Sequence, residues 1–151
     1  MALLVKDWEV MSAAGVLLDT SAWIAFFSST GHDALRRDVR EALDAERVVT
    51  CAVVRVEVLV GARDRAAFCK LESLLQHLPQ IPIDDDVWSR AAALGFAMRK
   101  QGRSIPFSDL LIAEACRSRS LELWHLDEHY EVIRKHSEFA TRSFLKPTDR
   151  G

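Results

Sequence analysis

The chain has 151 residues, 49% of them hydrophobic, which is enough to bury one core and too few for two domains of ordinary size. A net charge of -2 and a pI near 6.2 exclude a globally basic nucleic-acid binder, so such a partner would be held by local patches. Three cysteines (Cys51, Cys69, Cys116) without CxxC spacing argue against a disulfide framework or structural zinc site and suit a reducing cytoplasm. Lys6, Asp7 and Glu9 break the apolar N-terminus before a signal core or membrane span forms.

Residues 1–14 read as an N-terminal extension, 15–146 as the domain and 147–151 as a tail with nothing apolar to pack. Short apolar runs then alternate with helical patterns, which predicts an α/β fold built on a mainly parallel sheet. "GVLL" reads as a strand covered on both faces, and "TSAWIAFFSS" as a helix. "ALRRDVREALDAE" is amphipathic through Leu35, Val39 and Leu43. "RVVTC" reads as a second strand. "AVVRVEVLVGA" is ambiguous, since its β-branched residues favour a strand while its length and Gly61 favour a helix; helix is the reading adopted. "RAAFCKLESLLQHL" has Phe68, Leu71, Leu74, Leu75 and Leu78 at helical spacing, and Pro-bounded "PQIPI" reads as a strand. "DDDVWSRAAALGFAMRKQG" is a helix with acids at its start and bases at its end. "SDLLIAEACRSRS" is a helix apolar over most of its circumference, hence central. "LELWHL" reads as a strand, "EHYEVIRKH" as a helix and "ATRSFL" as an edge strand, for about five strands in all.

Four acids stand where solvation alone would not put them. Asp19 ends the first strand, Glu57 lies inside "VVRVEVLV", Asp109 opens the central helix and Asp127 follows "LELWHL". Each has an ordinary explanation: Asp19 and Asp127 as helix caps, Ser108 as a cap with Asp109 on the helix dipole, Glu57 turned outward to Arg63. The combination says more. Residues just past the carboxyl ends of adjacent parallel strands converge on one crevice, and the helices carrying Glu57 and Asp109 begin on the same side. Clustered carboxylates repel and raise one another's pKa until a cation relieves them, and hard oxygen donors suit Mg²⁺ or Mn²⁺.

"VLLDTSAWIAFF", "VTCAVVRVEVLVGARD", "GRSIPFSDLLIAEAC" and "LELWHLDEHYEVI", in that order and spacing, resemble the PIN domain, and within it the VapC toxins of bacterial VapBC toxin–antitoxin systems. The resemblance covers Gly15 to Phe144 and implies a PIN-like fold, helices flanking the sheet. It implies a catalytic quartet of Asp19, Glu57, Asp109 and Asp127, with Asp19 and Asp109 as direct Mg²⁺ ligands and Thr20 and Ser21 in support. It also implies hydrolytic cleavage of structured RNA by activated water, tRNA ahead of rRNA, leaving 5′-phosphate and 3′-hydroxyl ends. The implied partners are a VapB-type antitoxin and a second toxin subunit, giving a homodimer or, with antitoxin, a heterotetramer or larger. Core packing explains Trp23, Phe26 and Phe27 most simply, while the resemblance implies that helices of this region help form the apolar groove that receives these partners. The sequence departs from the family at His125, where Thr or Ser is usual, and in having residues 1–14 before the first strand.

His125 and His129 flank Asp127 at a zinc-like spacing, but a strand-to-helix break between them and the lack of further ligands argue against zinc. His125 is expected to pack near the site and His129 to lie at its rim. Arg99, Lys100 and Arg103 precede the Asp109 segment and suit an RNA backbone, while Arg99 and Lys100 equally suit a helix C-terminus. Two alternatives are a PIN nuclease of RNA processing without a toxin role and a receiver-like Mg²⁺-binding signalling module.

Overall fold

Val16–Leu18 forms strand β1, and all three side chains are fully buried, as expected of a strand covered on both faces. In this computed structural model residues 15–146 are described; the extension 1–14 and the tail 147–151 lie outside them. Helix α1 (Thr20–Phe27) starts immediately after β1 because Asp19 caps it, Oδ1 accepting the Ala22 N–H at 2.9 Å. Gly31 and His32, both at positive φ, turn the chain into α2 (Asp33–Asp44), which buries Leu35, Val39 and Ala42 and leaves Arg37 and Arg40 outward, whereas Arg36 folds back to donate to the Ser28 carbonyl at 2.9 Å. Strand β2 (Val48–Val49) leads into α3 (Ala52–Val60), so the ambiguous β-branched segment is a helix, with Val54 and Val58 inward. Helix α4 (Arg65–Gln76) is capped by Asp64, but of the five apolar positions expected in its stripe only Leu75 is fully buried, and Phe68 is exposed. The helix packs mainly against α3, leaving its apolar face half covered.

Helix α5 (Asp85–Lys100) has the acidic start and basic end expected of it and is capped by Asp84. It packs against α6 (Phe107–Ser118), in which every residue from Asp109 to Cys116 is buried. Strand β3 (Glu122–His125), helix α7 (Glu128–Ile133) and strand β4 (Thr141–Ser143) complete the described chain. The three cysteines are free. No helix among the described residues is long and apolar enough to cross a membrane.

Among the described residues the sheet has four parallel strands in the order β2-β1-β3-β4, not the five expected. "PQIPI" contributes a single bridge, Thr50 to Gln80, in which Thr50 N donates to the Pro79 carbonyl and Ile81 N to the Thr50 carbonyl. Pro79 and Pro82 have no N–H to extend that ladder, so the segment stops at one rung. Because β2 lies on one side of β1 and β3 on the other, the topological switch point falls between β1 and β3. That is where an open α/β sheet places a site.

Candidate active site

Asp19 follows β1 directly, and its backbone N–H continues the β1–β3 pairing by donating to the Trp124 carbonyl at 3.1 Å. Asp127 lies two residues beyond β3 and caps α7, accepting the His129 N–H at 2.9 Å. Both cap readings therefore hold, and the caps stand side by side at the switch point. Glu57 is not turned outward toward Arg63, which pairs with Asp64 instead. Its Oε1 accepts a hydrogen bond from the Thr20 hydroxyl at 2.9 Å, which draws α3 to the start of α1. Ser108 is not the cap of α6: that helix begins one residue earlier, after Pro106, and Asp109 sits in its first turn with its side chain inward.

Ser21 ties the site together. Its hydroxyl lies 2.7 and 2.8 Å from the two carboxylate oxygens of Asp19 and accepts the Leu126 N–H at 2.9 Å, joining the end of β1 to the loop after β3. His125 is fully buried, its Nδ1 accepting the Asp127 N–H at 3.1 Å. Burial pushes its pKa down, so the ring is neutral, with the proton on Nε2. That nitrogen stands 3.4 Å from Glu131 without forming a hydrogen bond. The imidazole thus holds the Asp127 backbone through a ring nitrogen.

The acids act on one another. Burial, reinforced by the charges of Asp127 and Asp109, raises the Asp19 carboxyl to about 7, against the opposing bonds from Ser21 and Ala22. Burial also raises Asp109, with Asp127 and Glu57 adding to the rise and His129 opposing it. Cluster and burial together describe a place where negative charge is costly and a cation would be welcome. Among the described residues Asp109, Asp127 and His129 fit one chemically, each offering an atom within 4.8 Å of the others, while Asp19 and Glu57 lie outside that group.

One residue of this site, Tyr130, was not read from the sequence. His129 lies at the rim as expected, partly exposed, and directs Nδ1 to Asp109 Oδ2 at 2.8 Å and to Asp127 Oδ1 at 3.3 Å. Tyr130 is buried beside it, its hydroxyl donating to Asp109 Oδ1 at 3.4 Å, and burial pushes its pKa well above the usual range, so the donor is retained. The signal was present in the first turn of a helix that starts at an acid: residues two and three past such a cap point back over it. Of the basic residues, Arg99 and Arg103 line a cleft of about 460 Å³ between α5 and α6, with Trp88, Phe96 and Phe107, and Lys100 lies over the Phe96 ring.

A family model for the PIN domain matches residues 16–136. Ribonuclease VapC11 of Mycobacterium tuberculosis is 34% identical over 134 residues, covering 85% of this chain and 98% of the relative. The chain belongs to the VapC ribonucleases of the PIN-domain family. The fold agrees: VapBC2 from Rickettsia felis, solved bound to a promoter DNA fragment, superposes at a TM-score of 0.69 with 16% identity, covering 85% of this chain and 98% of that one. M. tuberculosis VapC20, described as a sarcin–ricin-loop-cleaving toxin, superposes at 0.61 with 16% identity, covering 78% and 94%. Membership in the VapC ribonucleases removes the receiver-like alternative.

Proposed function

We propose that the protein is the toxin of a toxin–antitoxin pair, a Mg²⁺-dependent endoribonuclease that cuts structured RNA at the Asp19–Glu57–Asp109–Asp127 crevice, Mn²⁺ being an alternative cation. What supports this is that Asp109, Asp127 and His129 each offer a donor atom within 4.8 Å of the others, and that Asp19, raised to about 7 chiefly by burial, also feels the charges of Asp127 and Asp109. Asp19 and Asp109 would hold the cation directly, and Glu57 and Asp127 would complete its surroundings. When bound, the cation neutralises phosphate charge and lowers the pKa of the attacking water.

The chain's own residues supply the positioning. Thr20 holds Glu57, Ser21 holds Asp19 while bonding to the strand β3 loop, and His125 fixes the backbone under Asp127. Arg99, Lys100 and Arg103 meet the RNA backbone, and their position in and beside the cleft next to α6 supports that role. The substrate is transfer RNA first and ribosomal RNA second, cut to leave 5′-phosphate ends. The cytoplasm is where such a substrate is met.

A cleft of about 700 Å³ between α1, α3 and α4 supports a VapB-type antitoxin as partner. Trp23, Ile24, Phe27 and Val58 line it, and it reaches Glu57, so an apolar segment seated there would also cover the crevice. The exposed aromatics Trp88, Phe96 and Phe107 on α5 and α6 support self-association into a homodimer, and a heterotetramer or larger assembly with antitoxin. Sequencing 5′-phosphate RNA ends after brief induction, beside an Asp19→Asn control, tests the reading. Discrete new ends in tRNA that the control lacks are expected, and identical end maps would refute it.

A further inference from the structure

The oxygen quartet makes no use of the imidazole that stands among its members. His129 Nδ1 lies 2.8 Å from Asp109 Oδ2 and 3.3 Å from Asp127 Oδ1, and one donor atom from each of the three lies within 4.8 Å of the others. The position is fixed by the fold. The His129 backbone N–H is bonded to Asp127, so the residue is locked into the first turn of α7. The next residue, Tyr130, is buried and bonded to the other oxygen of Asp109. Asp109 is therefore met at Oδ1 by the Tyr130 hydroxyl and at Oδ2 by a ring nitrogen of His129.

Resting on the reading that the acids hold a divalent cation, we infer that His129 is a nitrogen ligand of that cation, and that it tilts the site from Mg²⁺ toward Mn²⁺. The chemistry follows from the donors. Mg²⁺ is held by oxygens and keeps much of its water, so a ring nitrogen adds little for it. Imidazole suits the transition metals, and the gain grows along the series from Mn²⁺ to Cu²⁺. A site in which an imidazole joins the carboxylates therefore discriminates among divalent ions in a way that carboxylates alone do not. His125 cannot play this part, because its Nδ1 is occupied by the Asp127 N–H and its Nε2 is directed at Glu131.

The test uses the full chain, Mn²⁺ alone as probe, and pulsed electron paramagnetic resonance. Wild-type protein is expected to show nitrogen modulation from a coordinated imidazole, changing pattern when the histidines carry ¹⁵N and vanishing in His129→Gln. That variant should lose at least the roughly tenfold in Mn²⁺ affinity that even an outer partner of a metal ligand is worth, with a smaller change for Mg²⁺. Mn²⁺ bound by wild type without nitrogen modulation, or equal losses for both ions, would overturn the inference and leave His129 as a hydrogen-bond partner of Asp109. Failure of wild type to bind Mn²⁺ at all, with Asp109→Asn no different, would overturn the cation reading itself.

Discussion

The hydroxyl of Thr20 donates to Oε1 of Glu57 at 2.9 Å, joining the first turn of α1 to α3 across 37 residues of sequence. That bond keeps Glu57 in the crevice when a surface position was open to it. Thr20→Val, which keeps the shape and removes the donor, is expected to lower kcat for RNA cleavage roughly tenfold, an effect of about 1.4 kcal/mol on the barrier. Thr20→Ser should stay near wild type, and equal rates for Thr20→Val and wild type would show that Glu57 is placed by something else.

Ser21→Ala removes the bonds to Asp19 and leaves the Leu126 N–H without its partner. An unsatisfied buried donor costs about 1–3 kcal/mol, so the melting temperature should fall by roughly 3–10 °C. The lost bonds favoured the charged carboxylate, so the Asp19 pKa should rise further and the acid limb of the pH–rate profile should move to higher pH.

Asp19 also links stability to pH in the metal-free protein. Its carboxyl titrates near 4 when unfolded and at about 7 when folded, so the folded state binds the extra proton between those values. The linked stability is full below about pH 4 and is lost as pH rises toward 7. Asp19→Asn carries no such charge. In chelator it is expected to melt roughly 3–6 °C above wild type at pH 8, on the order of 1–2 kcal/mol, and the gap should close toward pH 5. Calorimetry at the two values checks both sign and size.

Arg99 and Arg103 line the α5–α6 cleft and are read as phosphate contacts. Replacing either with Ala should raise KM with little change in kcat and reduce the salt dependence of RNA affinity by about 0.7–0.9 in log–log slope. Binding titrations across a range of salt concentrations report this directly, and an unchanged slope would show that neither arginine contacts phosphate and leave Arg99 as a complement to the helix end.

Phe27 is half exposed on the α1 side of the other cleft. Phe27→Glu should weaken inhibition by the antitoxin, at least tenfold in affinity if the side chain is an anchor, while cleavage by the free toxin is kept. Loss of both together would place Phe27 in the catalytic architecture instead.

Much of this fold was legible because its signals are local. An apolar run with an acid at its end marked β1 and the cap of α1, and charge at both ends marked α5. The β-branched run of α3 was decided correctly by length and a terminal glycine over propensity. What failed depended on neighbours. The fifth strand was lost to prolines that cannot extend a ladder, and the α4 stripe was overcounted because the helix meets α3 rather than the sheet. In the site, the acids could be found by their cost, since a carboxylate amid valines needs a reason. His129 could be placed at the rim, but its contact with Asp109 and the part of Tyr130 could not, because a residue after a helix cap is ordinary until the opposing Asp109 is known to face it.

The most direct measurement is the cleavage of end-labelled tRNA and rRNA by wild type, Asp19→Asn and Asp109→Asn, in Mg²⁺ and in chelator. Wild type is expected to cut at discrete sites in Mg²⁺ only, leaving 5′-phosphate ends, with each Asn variant slower by roughly 10³-fold or more. An Asn variant that cleaves as fast as wild type, or wild-type cleavage that persists in chelator, would contradict a metal-dependent nuclease centred on these acids.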